Sequence, residues 1–136
     1  MKEITINNLG ELEKFCDEFS KILKPGNVVC LTGDLGAGKT TFVSAVTKAL
    51  GINDSVQSPT FNLLLQYKND DGLTINHFDL YRLEKEDDLD DIGFYETIED
   101  GGITFIEWAE KFPEAMPSHA INLSITKLDS NSRKFT

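Results

Sequence analysis

With 136 residues, 40% hydrophobic and 26% charged, the chain has material for one core and one domain spanning 1–136, and too little for two. A formal net charge of -10 opposes unassisted binding to a nucleic-acid backbone. No apolar run approaches the roughly 20 residues that cross a bilayer.

The opening residues MKEITINN lack the apolar centre of a signal peptide, and residues 2–7 predict a short edge strand. Leu9, Leu12, Phe15, Phe19, Ile22 and Leu23 then recur at helical spacing. Asn8 is placed to cap that helix, with Glu11 three residues on, and Pro25-Gly26 ends it. Residues 28–32 read as a buried strand, followed by a glycine-rich loop and a helix over residues 38–50 closed by Gly51. Residues 60–67 and 73–79 alternate as two strands joined by the turn Asn69-Asp70-Asp71-Gly72. The acidic run of residues 84–91 reads as a solvated helix face or loop, or as a docking surface for a basic partner. Residues 103–108 and 120–126 supply two further strands, the second being the last read from the sequence. Strands alternating with helices around the loop predict an α/β three-layer sandwich with a mainly parallel central sheet and antiparallel additions at its edges. Cys16 and Cys30 lie among apolar residues, as small buried hydrophobes do in a reducing cytosol, and a cytoplasmic protein without membrane contact is expected.

The stretch GDLGAGKTTF, Gly33 to Phe42, matches the full phosphate-loop pattern of glycine, four residues, then Gly38-Lys39-Thr40. Glycines let successive N–H groups turn inward and leave no side chain in the way of phosphate. Asp34, Leu35, Gly36, Ala37 and Gly38 are therefore expected to line a nucleotide with their main chain. The following helix presents its positive end to the anion. Lys39 can reach the β- and γ-phosphates, the Thr40 hydroxyl can ligate Mg²⁺, and Thr41 is a further phosphate donor. ATP with Mg²⁺ is the expected ligand. The charge of -10 slows the encounter without preventing it.

A carboxylate at the end of a neighbouring strand completes such a site, and two stand in that position. LTINHFDLYR puts His77, Asp79 and Tyr81 on one face, because alternate residues of a strand share a face. ITFIEW carries an apolar strand into Glu107. Either acid could hold the metal or orient water. Each also has a structural alternative: Asp79 as the cap of a helix starting at Leu80, Glu107 as an ion-pair partner of Lys111, and His77 as a buried structural histidine. Arg82 could neutralise a transferred phosphoryl group or pair with the acids that follow it. Thr60, after the proline-stiffened Ser58-Pro59, could sense a γ-phosphate or simply start a strand.

A GTPase is disfavoured because no Asn-Lys-x-Asp follows a strand. A small-molecule kinase needs an acceptor pocket and an arginine-bearing lid, and only Arg82 and Arg133 could serve. What remains is an ATPase with a minimal site, finished or controlled by a partner, or a nucleotide-sensing module without significant hydrolysis.

GDLGAGKTTF, SPTF at Ser58 to Phe61, HFDLYRL at His77 to Leu83 and IEWAEK at Ile106 to Lys111 resemble, in order and spacing, the TsaE family of bacterial ATPases. These work in the biosynthesis of tRNA threonylcarbamoyladenosine, the modified adenosine at position 37. The resemblance covers residues 28–117. The segment IGFYE at Ile92 to Glu96 is a looser version of the family's Leu-Gly-x-x-Glu, and the chain ends soon after Arg133, where many members continue for another strand. The resemblance implies that a kinase-like threonylcarbamoyl-transferase catalytic subunit and its non-catalytic paralogue make the transfer. A protein similar to this one would bind their interface and hydrolyse ATP, meeting tRNA only through them. It also implies that Asp79 and Glu107 are the metal and water residues, that Thr60 is a switch residue, and that Trp108 stands beside the nucleotide.

Overall fold

The computed structural model describes residues 3–33, 38–52, 63–69, 71–129 and 132–135. In chain order these form β1 (Ile4–Ile6), α1 (Leu9–Ile22), β2 (Val28–Thr32), α2 (Lys39–Ala49), β3 (Leu64–Lys68), β4 (Thr74–Asp79), α3 (Asp88–Asp91), α4 (Phe94–Glu99), β5 (Ile103–Glu107), two single 3-10 turns (Ala109–Lys111 and Pro113–Ala115), β6 (Ile121–Lys127) and β7 (Arg133–Phe135). The seven strands make one sheet in the order β1-β7-β6-β2-β5-β4-β3. Its centre, β6-β2-β5-β4, is parallel. β3 joins one side antiparallel through its hairpin with β4, and β7 and β1 join the other side antiparallel. The expected architecture is the observed one, with β7 added to the strands read from sequence.

Local chemistry explains the elements. The Asn8 side chain accepts from Glu11 N–H at 2.9 Å and so satisfies an orphan donor at the start of α1. The Glu11 carboxylate reaches back to Asn7 N–H at 3.2 Å, one residue earlier than a standard capping box would place it. In the β3–β4 turn, the Asn69 carbonyl side chain accepts from Asp71 and Leu73 N–H at 3.0 and 2.9 Å, and Gly72 takes φ +88°, which suits glycine.

Alternation along the strands assigns each residue to a layer. Val29 and Leu31 of β2, Ile103 and Phe105 of β5, and Phe135 of β7 face α1 and α2. They meet Leu12, Cys16, Phe19, Phe42, Val43 and Val46 there, and Phe15 packs alongside. Val28, Cys30, Phe78 and Ile106 face the other way, onto Leu89, Phe94 and Phe112. Helical spacing overestimated the buried stripe of α1: Leu9 and Ile22 are 70% and 61% exposed. Both lie on the flanks of a stripe centred on Leu12, Cys16 and Phe19. In the acidic run, Leu89 alone is fully buried and anchors a solvated, carboxylate-rich turn.

Candidate functional site

The odd-numbered residues of β2, β4 and β5 face α2, so the carboxyl ends of those strands aim His77, Asp79 and Glu107 at the start of that helix. Asp79 and Glu107 are ladder partners, side by side at the edge of the parallel sheet. Each is only 4% exposed, and so is Lys39, an unusual concentration of buried charge.

Gly38 stands just before α2 with a left-handed φ of +107°, and among the described residues no side chain caps the helix. The first intrahelical bond runs from Phe42 N–H to Gly38 C=O at 2.9 Å. The N–H groups before it have no intrahelical acceptor, and with the helix dipole they make a site for an anion. Lys39 Nζ donates to the Gly33 carbonyl at 2.7 Å and stands 3.5 Å from the centroid of the Trp108 ring. Thr40 Oγ1 donates to the Glu107 carboxylate, 3.0 Å from Oε2 and 3.3 Å from Oε1. The same Oε2 lies 2.5 Å from Nε2 of the fully buried His77. Thr41 is exposed in the first turn of α2.

The structure separates the alternatives left open by the sequence. Glu107 is engaged by Thr40 and His77, whereas Lys111 Nζ donates to the Tyr81 carbonyl at 2.5 Å. Asp79 caps no helix. Its Oδ1 accepts from Tyr81 N–H at 2.9 Å and turns the chain at the end of β4. His77 is buried as a structural histidine would be, yet its partner is the site carboxylate. Trp108 has φ +63°, a left-handed conformation that costs a non-glycine residue roughly 1–2 kcal/mol. That turn at the end of β5 places its ring between Lys39 and Tyr81, the latter 4.8 Å away ring to ring. Arg82 is exposed. Asp34, Leu35, Gly36, Ala37 and Thr60 lie outside the described residues.

One residue that sequence reasoning treated only as a spare arginine stands at this site. Arg133 Nε lies 3.7 Å from the position a Cβ on Gly38 would occupy. The only sequence signal was its spacing of two from Phe135, which puts both on the α2 face of β7.

A parallel central sheet, with a buried lysine, a hydroxyl and a carboxylate at the start of α2, defines an α/β protein whose candidate site lies at the carboxyl edge of that sheet. The family model described as "Threonylcarbamoyl adenosine biosynthesis protein TsaE" matches residues 6–135. The chain belongs to the TsaE family. It is 40% identical to the tRNA threonylcarbamoyladenosine biosynthesis protein TsaE of Rickettsia bellii over 94% of this chain and 88% of that one. It is also 40% identical to the protein of the same name from Aquifex aeolicus, over 98% of this chain and 93% of that one. Among solved structures, the crystal structure of Bacillus subtilis YdiB superposes with a TM-score of 0.77 at 30% identity, covering 98% of this chain and 82% of that one.

Proposed function

We propose that this chain binds ATP with Mg²⁺ and hydrolyses it as the ATPase component of the machinery that makes N6-threonylcarbamoyladenosine at position 37 of tRNA. The observation that carries the reading is the Thr40 hydroxyl held 3.0 Å from the Glu107 carboxylate, beside the buried amine of Lys39.

The donor set suits the metal. A threonine hydroxyl and carboxylates are hard oxygen ligands, and Mg²⁺ is commonly held by one or two such groups together with substrate phosphates. Thr40 and Glu107 would hold it, with Asp79 beside them on the ladder. Bound there, Mg²⁺ supplies neutralisation of the phosphate charge.

The chain's own groups divide the remaining work. Lys39 turns from the Gly33 carbonyl and the Trp108 ring to the β- and γ-phosphates, a doubly anionic partner for its amine. The uncapped N–H groups at the start of α2 hold the phosphates from below. Glu107 orients water at the γ-phosphate, and His77 fixes the carboxylate's direction from inside the core. Lys39, Glu107 and His77 are almost wholly buried, so the field they set up is little screened.

The transfer to adenosine belongs, in this reading, to the kinase-like catalytic subunit and its non-catalytic paralogue. A net charge of -10 supports contact with tRNA only through those partners, in the cytoplasm. No described helix is long and apolar enough to cross a membrane. The test is phosphate release from ATP in single-turnover mode, by the chain alone and with both partner proteins. Release that rises with the partners and disappears in Lys39→Ala supports the assignment. Binding without release under either condition would make the chain a nucleotide-sensing module instead.

A further inference from the structure

The Trp108 ring that meets the Lys39 amine has a second neighbour. Its centroid lies 4.8 Å from that of Tyr81, with the two planes at 56°. Lys111 Nζ in turn stands 5.6 Å from the Tyr81 centroid. Two cations and two rings thus run in sequence, from Lys39 at 4% exposure to Lys111 at the surface. Lys111 closes this row into a clasp. Its N–H donates to the Trp108 carbonyl at 3.1 Å and its ammonium to the Tyr81 carbonyl at 2.5 Å. Buried Ala109 and Phe112 anchor the turn that carries it.

The clasp is built for orientation more than for burial. Tyr81 is 49% exposed, so its packing removes little apolar surface from water. Its main chain is nevertheless held from both sides, the N–H by Asp79 Oδ1 at 2.9 Å and the C=O by Lys111. Trp108 takes φ +63°, a conformation that persists only where the surroundings hold it. These contacts fix how the indole is turned, with its centroid 3.5 Å from the Lys39 amine. An ammonium shielded from water gains more from such a ring than an exposed one. The stabilisation that this contact gives the protein without nucleotide opposes nucleotide binding, because the amine has to leave the ring to meet phosphate. That holds whatever else the amine touches.

We propose that Trp108, clasped by Tyr81 and Lys111, is an autoinhibitory seat for the Lys39 amine, a brake on nucleotide binding that is set from the protein surface. This rests on the nucleotide reading above. It gives Tyr81 and Lys111 the sign opposite to that of ligand-binding residues, since removing either strengthens binding.

The experiment is a calorimetric titration of Mg·ATP and of Mg·ADP into the unmodified chain, Tyr81→Ala, Lys111→Met and Tyr81→Phe. Emission from Trp108, the only tryptophan, is recorded before nucleotide is added, and thermal melts establish that each variant is folded. Tyr81→Ala and Lys111→Met open the clasp. Both should bind each nucleotide about 2–10-fold more tightly, as loss of a cation–π contact entails, and should shift Trp108 emission to longer wavelength. Tyr81→Phe keeps the ring and the carbonyl and should match the unmodified chain. Lys39→Met removes the ammonium and keeps the stem, so it should change Trp108 emission without any nucleotide present. Equal or weaker binding in the folded, opened variants, or unchanged emission in Lys39→Met, would overturn the brake while leaving the ATP site standing. Should Tyr81→Ala not fold, Lys111→Met carries the test, because Lys111 is exposed. No saturable binding of either nucleotide by the unmodified chain would overturn both readings.

Discussion

His77 and Glu107 meet on adjacent strands with Nε2 and Oε2 2.5 Å apart, a diagonal contact, since the ladder partner of Glu107 is Asp79. His77 is fully buried, and its Nδ1 has no hydrogen-bond partner among the described residues. In either protonation state Nε2 can carry the proton and donate it to the carboxylate, so the ring acts as a fixed post for Glu107. His77→Leu should lower turnover about 10–100-fold, the range for an outer-shell partner, while Mg·ATP still binds. His77→Gln, which restores a donor, should recover part of the loss. Equal and undiminished turnover in both variants, measured at saturating ATP, would reduce His77 to core filling.

The two ladder carboxylates should fail differently. Glu107→Gln keeps size and can still meet the Thr40 hydroxyl, but removes the charge proposed to orient water. Turnover should fall at least about 10²-fold even at saturating Mg²⁺, with nucleotide binding retained, because this carboxylate is proposed both to hold the metal and to orient water. Asp79→Asn keeps an oxygen to accept from Tyr81 N–H, so the turn survives and only charge is lost. It should raise the Mg²⁺ concentration needed for half-maximal activity. A magnesium titration of both variants decides the matter; wild-type curves for both would remove the carboxylates from the chemistry.

Gly102 offers a stability test far from the nucleotide. A Cβ there would stand 2.6 Å from the Thr74 carbonyl oxygen, because β4 and β5 pack backbone to backbone at their starts. Gly102→Ala should lower stability by about 1–3 kcal/mol, the usual cost of forcing an extra methyl into a filled space. Denaturant unfolding reads this directly, and an unchanged midpoint would show that the strands can part at no cost.

Burial pushes the Cys16 thiol up to about 12, aided by Asp17 and Glu13, and the Cys30 thiol up to about 11. At pH 8 neither carries thiolate in the fold, whereas an unfolded thiol near 8.5 is partly ionised. Both should resist a thiol reagent at pH 8 until denaturant is added. Rapid labelling of the native chain would contradict the packing of α1 and β2.

Much of this was legible because it is local. The caps of α1, the turn at Asn69, the strand into the phosphate loop and the period-two spacing of His77 and Asp79 are written in neighbouring residues. What escaped depends on distant ones. β7 is three residues long, too short to carry a pattern, and is held by Phe42 and Phe15 roughly a hundred residues away. Lys111 has Glu107 four residues off in sequence, but the left-handed turn at Trp108 sends it to the Tyr81 carbonyl instead. The partners of Glu107 lie 30 and 67 positions away, where no spacing rule reaches.

The most direct measurement is a calorimetric titration of Mg·ATP into the unmodified chain and into Lys39→Ala, with thermal melts to establish that both are folded. Lys39 is the side-chain cation that the phosphate-loop sequence itself supplies, buried to 4% exposure and held now by a carbonyl and an indole ring. The unmodified chain should bind one equivalent saturably, and Lys39→Ala should bind at least about 10²-fold more weakly, as loss of a buried phosphate-facing charge requires. Equal affinity in the two folded proteins, or no saturable binding by the unmodified chain, would contradict the assignment of an ATP site at the start of α2.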